Sequence, residues 1–132
     1  MKPTERQEQA ALIEWWGHYA KTRELDERLL FAIPNGAVLA GDAKRRGIQM
    51  ANLKATGLRA GIPDLFLAAP QFRYDGQYQR GGLFIEMKRK GEKVKYGSAQ
   101  DECLTILAKN RFQIAVCEGA DAAMRAIKEY LE

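Results

Sequence analysis

The sequence contains few of the residues from which zinc, redox and serine-hydrolase sites are built. It has one histidine, His18, and two cysteines, Cys103 and Cys117. The cysteines form no C-x-x-C pair, so we expect buried thiols rather than a zinc or redox centre. One histidine cannot build a histidine-rich metal site and disfavours a Ser-His-Asp triad. We therefore expect His18 to be a surface or half-buried helix residue.

Long apolar runs and glycine-rich phosphate loops are also absent. No stretch approaches the roughly eighteen apolar residues that a membrane-spanning helix needs, and the polar N-terminal segment lacks the apolar core of a signal peptide. No G-x-x-x-x-G-K-[ST] sequence occurs. These absences predict a cytoplasmic protein with no membrane association and no organic cofactor.

The charged residues are unevenly distributed along a chain of 132 residues, the length of one ordinary domain. The net charge of +4 is weak evidence of a polyanionic partner by itself. Residues 44–59, however, carry five cations and no acid, and residues 88–95 carry five cations and one acid. These basic segments predict contacts with a polyanion, although a solvated loop explains 88–95 equally well.

Four helices are predicted, each beginning at a capping residue. The first covers about 4–20 and the second, a basic helix, covers 42–56. The third ends near 109, and the fourth occupies the C-terminal end. The predicted capping residues are Thr4, Asp42, Ser98 and Asp121.

Apolar runs between turn residues predict four strands, at 28–33, 64–69, 83–88 and 112–117. Residues 70–81 are polar and are predicted to form the turn region between the second and third strands. The element order is therefore α-β-α-β-β-α-β-α. Helices before and after a mixed sheet predict one three-layer α/β/α domain over 1–132.

Two strands carry charged residues that a core strand rarely tolerates. Asp64 follows Gly-Ile-Pro at the start of one strand, and Glu86 and Lys88 end the next. Residues two apart in a strand point to the same face, so Glu86 and Lys88 project together. Buried charges are costly unless they are paired or bind a metal. A solvated strand face with cross-strand ion pairs is the plainer alternative.

This pattern suits metal-assisted phosphodiester hydrolysis. Two carboxylates, on Asp64 and Glu86, match the preference of Mg²⁺ for a few oxygen ligands together with water and phosphate. The backbone carbonyl of Met87 lies between Glu86 and Lys88 and is a further candidate ligand. Lys88 is placed to orient or activate the attacking water and to neutralise the developing charge.

Several separated segments resemble the VRR-NUC family, in order, through residues 5–118. They are Glu5-x-x-x-Gln9, Ile33-Pro-Asn-Gly36, residues 53–67, residues 82–88 and Ser98-Ala-Gln100. The resemblance implies a PD-(D/E)-x-K nuclease with a restriction-endonuclease-like fold that uses Mg²⁺ or Mn²⁺. Asp64, Glu86 and Lys88 fill its catalytic motif, and Gln100 matches the family's glutamine on the following helix.

The resemblance also implies an acidic residue of the first helix near the metal. Glu5 is favoured because it matches the E-x-x-x-Q pattern, and Glu8 is the alternative. Either acid has a plainer explanation, since carboxylates at a helix N-terminus are stabilised by the helix dipole.

Stand-alone family members from phages and bacteria are similar to Holliday-junction resolvases and form homodimers. The resemblance therefore implies a structure-selective endonuclease for branched or junction DNA in a phage-infected or bacterial cell. The alternatives are a nicking or flap nuclease of broader specificity and an inactive DNA-binding module of the same fold. The predicted DNA contacts are Lys44, Arg45, Arg46, Lys54, Arg59, Arg89, Lys90, Lys93 and Asn35.

Aromatic residues are more numerous than so small a core needs, which predicts a protein interface. For Trp15, Trp16 and Tyr19 on the first helix, we expect core packing or a dimer contact rather than base stacking. The surplus aromatic residues are Trp15, Trp16, Phe72, Tyr74 and Tyr78.

Overall fold

The computed structural model describes residues 2–34 and 39–132. Its helices are α1 (Glu5–Thr22), α2 (Ala43–Ala55), α3 (Ala99–Lys109) and α4 (Ala120–Leu131), with a short 3-10 turn at Glu27–Leu29. Its strands are β1 (Leu30–Ala32), β2 (Leu65–Leu67), β3 (Gln71–Phe72), β4 (Tyr78–Arg80), β5 (Leu83–Lys88) and β6 (Gln113–Glu118). None of the described helices is both long and apolar enough to cross a membrane.

The central sheet is mixed, as predicted. Its strand order is β1-β2-β5-β6, in which β2 is antiparallel to both β1 and β5, whereas β5 and β6 are parallel. A parallel pair requires a crossover connection, and α3 provides it between β5 and β6. The α/β fold class predicted from the sequence is confirmed.

Three of the four predicted helix-capping residues are correct, and one is wrong. The predicted capping side chains of α1, α2 and α3 each accept a backbone hydrogen bond, and they are those of Thr4, Asp42 and Ser98. The prediction of Asp121 as the last cap is wrong, because α4 already begins at Ala120. Gly119 precedes it with a φ of 92°, a conformation that glycine adopts without steric cost.

The prediction that residues 70–81 form only a turn region is also wrong. Within them, β3 and β4 pair as an antiparallel hairpin that is separate from the central sheet. Asp75 and Gly76 close its tip. The Asp75 carboxylate accepts a hydrogen bond from the backbone N–H of Gln77, and Gly76 has a φ of 83°. The polar composition of the segment concealed two very short strands, which a window of alternating residues does not detect.

The main core lies between the sheet and the helices α1 and α4. From β5 it receives Leu83, Ile85 and Met87, which are all buried. Trp16 is 1% exposed and donates its indole N–H to the Glu27 carbonyl, so it belongs to the core rather than to an interface. Ile13 on the same helix is 39% exposed and does not belong to this core.

The other face of the sheet carries a row of aromatic side chains and the charged end of β5. Phe31, Phe66 and Phe84 are cross-strand neighbours, with ring centroids 5.8 Å and 4.3 Å apart. Glu86 and Lys88 follow Phe84 on the same face, since their positions differ by multiples of two. This arrangement confirms the predicted alternation along β5.

The two cysteines are free and lie in different surroundings. Cys117 is buried in the main core, and burial raises the pKa of its thiol to about 11. Cys103 is half-buried on α3, where burial and the nearby Glu86 raise its pKa. Thiols with raised pKa values are poor nucleophiles at neutral pH.

Candidate active site

Asp64 directly precedes β2 and lies beside the last residues of the neighbouring strand β5. The Asp64 carboxylate accepts a hydrogen bond of 2.7 Å from the backbone N–H of Met87. In an extended strand the N–H and C=O of one residue point to the same edge, so the Met87 carbonyl also faces the side on which Asp64 lies. The predicted carboxylate and the predicted carbonyl are therefore neighbours.

Glu86 is the one buried charged residue in the described part of the chain, with 3% of its surface exposed. One of its carboxylate oxygens, Oε1, accepts a 3.1 Å hydrogen bond from the Gln100 amide. The other, Oε2, is buried without a hydrogen-bond partner. Burial first, and then the neighbouring Asp64 carboxylate, raise the pKa of Glu86 from 4.5 to about 8, against the opposing effect of Lys88.

Gln100 joins the two charged residues at the end of β5. Its side-chain oxygen accepts a 2.9 Å hydrogen bond from Lys88 Nζ, while its amide group donates to Glu86. Lys88 Nζ and Glu86 Oε1 are 4.0 Å apart, and the Lys88 side chain is 14% exposed. Gln100 lies in the first turn of α3, which Ser98 caps. The four predicted site residues Asp64, Glu86, Lys88 and Gln100 are thus brought together.

The two acidic candidates on α1 occupy different surroundings. Glu8 accepts a hydrogen bond from the backbone N–H of Ala120 and so serves the N-terminus of α4. Glu5 lines a surface cleft together with Asp64 and Met87, and its charge contributes to the raised pKa of Glu86. Of the two, Glu5 is the one that lines the same cleft as Asp64, and it stays the favoured candidate ligand.

The donor set fits a divalent cation that takes few protein ligands. In the described part of the chain, no three carboxylate, imidazole or thiol groups form a ready-made metal cluster. Mg²⁺ commonly binds through one or two carboxylates and keeps water and substrate phosphate as its other ligands. Two close carboxylates, one with a buried oxygen that lacks a partner, are an arrangement that a cation stabilises.

The predicted DNA-contacting cations fall into two groups. Lys93 lines an open cleft together with Lys88 and Gln100, and the exposed Lys90 lies on the same loop. Arg89 is only partly exposed, and its Nε is buried without a partner. The second group is exposed on α2 and the segment after it: Lys44, Arg45, Arg46, Lys54 and Arg59. Asn35, also predicted to contact DNA, lies outside the described residues.

Gly61 is a site-positioning residue that the sequence patterns did not reveal. Its φ is 83°, and a Cβ atom placed there would lie 2.2 Å from the Ala99 carbonyl oxygen and 2.8 Å from the Gln100 backbone nitrogen. The segment leading to Asp64 is thus packed directly on the first turn of α3. A glycine before Ile-Pro-Asp is visible in the sequence, but its contact with a helix 38 residues later is not.

Gly61→Ala is expected to lower the cleavage rate about a hundredfold, because a misplacement of roughly 1 Å in a catalytic geometry has an effect of that order. The added methyl must displace the backbone that carries Gln100, so turnover should fall while the affinity for DNA changes little. Gly57→Ala is the matched control, since Gly57 has a φ of 115° but no atom lies within 4 Å of the position that its Cβ would occupy. Equal losses of activity in both variants would contradict the positioning role.

The raised pKa of Glu86 predicts how stability depends on pH in the presence of a chelator. Between pH 4.5 and about 8 the folded protein retains a proton that the unfolded chain has lost. The free energy of unfolding should therefore fall as the pH rises through this window, and Glu86→Gln should flatten the slope. Denaturant titrations at several pH values measure it, and an unchanged slope in Glu86→Gln would assign the effect to other groups.

Comparison with known proteins places these features in a family. The family model for the VRR-NUC domain matches residues 3–121. A solved structure described as a VRR_NUC domain protein is similar over 98% of this chain and 89% of its own, with a TM-score of 0.72 and 23% sequence identity. At that identity the likeness shows the fold. None of the curated proteins compared gives a significant match.

A mixed sheet between helices, with two carboxylates and a lysine at the ends of adjacent strands, is the arrangement of restriction-endonuclease-like nuclease folds. Since the family model covers residues 3–121, the chain belongs to the VRR-NUC family, a family of nuclease domains. The resemblance found in the sequence is thereby confirmed, and family membership implies DNA as the substrate.

Proposed function

We propose that the protein is an endonuclease that hydrolyses DNA phosphodiester bonds with the help of Mg²⁺ or Mn²⁺. The observation that carries the proposal is Glu86, a buried carboxylate with a free oxygen beside Asp64, tied through Gln100 to Lys88. An inert strand face would expose these groups to water or pair them completely. The same network argues against an inactive DNA-binding module, because DNA binding alone does not require a buried and incompletely paired carboxylate.

Asp64 and Glu86 would hold the metal, together with the Met87 carbonyl and Glu5. The bound ion supplies charge neutralisation at the scissile phosphate and makes an attacking water more acidic. Within the described residues, Lys88 is the one cation paired with Glu86, and a 2.9 Å hydrogen bond to the Gln100 side-chain oxygen holds its Nζ in place. From there it orients the water and stabilises negative charge on the phosphate oxygens. Water adds to phosphorus, one P–O bond breaks, and the departing oxygen gains a proton.

The proposal is tested by incubating the protein with intact duplex, nicked, flap and four-way DNA, with a chelator or with Mg²⁺ or Mn²⁺. We expect cleavage only with a metal ion, and fastest on the four-way junction. Preference for the nicked or flap substrate would favour the nuclease of broader specificity. Full activity in the chelator would exclude the proposed chemistry.

We further propose that the protein acts as a homodimer. Resolving a four-way junction takes two symmetric cuts, and one chain offers one such site, so two copies related by a two-fold axis match the junction's symmetry. The support from the structure is the hairpin β3–β4, on which Phe72, Tyr74 and Tyr78 are 57%, 101% and 50% exposed. Trp16 does not contribute, because it is buried in the core.

Light scattering at micromolar concentration is expected to give about twice the 14.9 kDa of one chain. Phe72→Ser, which removes an exposed apolar ring from the hairpin, should shift the protein towards the monomer without unfolding it. A wild-type monomer, both free and bound to junction DNA, would contradict the dimer and leave the broader nuclease function in place.

A further inference from the structure

Helix α2 stands apart from the rest of the described molecule. It contains no buried residue, and it makes no extensive contact with another described helix or strand. The helix is nevertheless well formed: Asp42 caps its first turn, and Gly57, with a φ of 115°, follows its end. Helices in proteins are usually stabilised by packing an apolar face against the core. A helix that the fold uses so little for packing leaves most of its surface available for a partner.

The outward face of α2 combines cations with residues that can approach another molecule closely. Gln49, Met50 and Leu53 are half-buried and mark its inner side. Residues three and four apart share a helix face, so the opposite side presents Lys44, Ile48, Ala51 and Ala55, with Arg45 and Asn52 at its borders. Ile48 is 54% exposed, which is unusual for a helix that faces only water.

The charge of this region identifies the class of partner. From residue 43 to residue 63 the chain carries five cations and no acid, and the preceding Asp42 is occupied as the helix cap. An acidic protein surface would satisfy the cations, but family membership implies DNA as the substrate, and duplex DNA carries one negative charge per roughly 1.7 Å of its axis. The major groove of B-DNA, about 12 Å wide, admits one α-helix, and an exposed amide and an apolar side chain both find partners on its base edges.

Helix α2 is connected to the candidate active site by a short segment. Only residues 56–63 separate the end of α2 from Asp64, and within them Gly61 is packed against the first turn of α3, beside Gln100. A helix held in a DNA groove would therefore fix residues 56–63. This segment leads directly to Asp64 and, through Gly61, contacts the helix that carries Gln100.

We propose that α2 docks in the major groove of a duplex arm of the substrate, next to the cleavage site. Lys44 and Arg45 contact phosphates, and Ile48 and Asn52 contact base edges. The inference rests on the proposed nuclease function and deepens it, since it names the substrate as DNA with a duplex arm rather than an isolated single strand.

The experiment compares two double variants with a matched control, all in a chelator, on a labelled duplex of mixed sequence. Lys44→Ala/Arg45→Ala should weaken binding and reduce the salt slope by about 2, since each phosphate contact contributes about 0.9. Ile48→Ala/Asn52→Ala should weaken binding about tenfold without changing that slope. The control, Lys21→Ala/Lys109→Ala, removes two exposed cations from the last turns of α1 and α3, away from the active site.

Methylation of guanine N7, an atom in the major groove, distinguishes groove docking from contact with the backbone alone. On a four-way junction in the same chelator, wild type should protect guanines in the duplex arms beside the branch point, and Ile48→Ala/Asn52→Ala should lose that protection. The proposal is overturned if the protection is unaltered, if the variants bind like the control, or if they lose oligomer mass instead of DNA affinity. In each of these cases wild-type cleavage, and with it the proposed nuclease function, would remain. If wild type neither binds nor cuts DNA with a metal present, the proposed function fails as well.

Discussion

Glu86→Gln is expected to reduce DNA cleavage by a hundredfold or more, a loss of roughly 2.7 kcal/mol in transition-state stabilisation. Glutamine retains the size of the side chain and can still accept the hydrogen bond from Gln100. It cannot provide the negative charge that holds a divalent cation beside Asp64. The variant therefore separates the role of the charge from that of the shape.

Asp64→Asn should have an effect of similar size for the same reason. Asparagine can accept the hydrogen bond from the Met87 amide, so the local backbone should stay in place. The matched control is Glu102→Gln, the same exchange at an exposed glutamate in the first turn of α3, beside the site but outside the network. It should cleave like wild type.

Metal binding provides a second measurement that does not depend on activity. Mg²⁺ or Mn²⁺ should raise the Tm of wild type and of Glu102→Gln, because a ligand that binds only the folded state stabilises it. In Glu86→Gln and Asp64→Asn the increase should be small or absent. Normal cleavage by Glu86→Gln would show that Glu86 is a structural residue and would remove the metal centre from the proposal.

The structure explains why the sequence revealed the charged strand β5 better than its surroundings. Glu86 and Lys88 stand out because charges interrupt an apolar strand, and the alternation rule places them on one face without any tertiary information. The cap residues Thr4, Asp42 and Ser98 are equally visible, since capping depends on neighbours three residues away. These predictions are local, and they are correct.

Predictions that depend on distant parts of the chain are less accurate. The start of α4 is misplaced in the sequence-based prediction because part of its N-terminus is capped from α1, by Glu8, more than a hundred residues earlier. That same contact occupies Glu8 and leaves Glu5, which the family pattern favoured, as the candidate ligand. For Trp16 the sequence left core packing and a dimer contact open, and the 3-10 turn at Glu27–Leu29 provides the carbonyl that allows its indole to be buried in the core.

Lys88→Ala is expected to reduce the cleavage rate by a hundredfold or more while leaving DNA binding nearly unchanged. Among the described residues, Lys88 is the one cation hydrogen-bonded to the Gln100–Glu86 network, and its side chain is only 14% exposed, so its charge acts mainly within the site. A single cation is a small part of a footprint that contacts many phosphates. The loss should therefore appear in turnover rather than in KM or in the salt slope of binding.

Lys93→Ala is the matched control, because Lys93 lines the same cleft as Lys88 but is exposed. It should change the salt dependence of binding slightly and turnover little. Lys88→Arg should restore only part of the rate, because the planar guanidinium keeps the charge but not the compact ammonium geometry that Gln100 holds. If Lys88→Ala cut DNA at the wild-type rate, the lysine would serve only to neutralise Glu86, and orientation of the attacking water would have to come from another group.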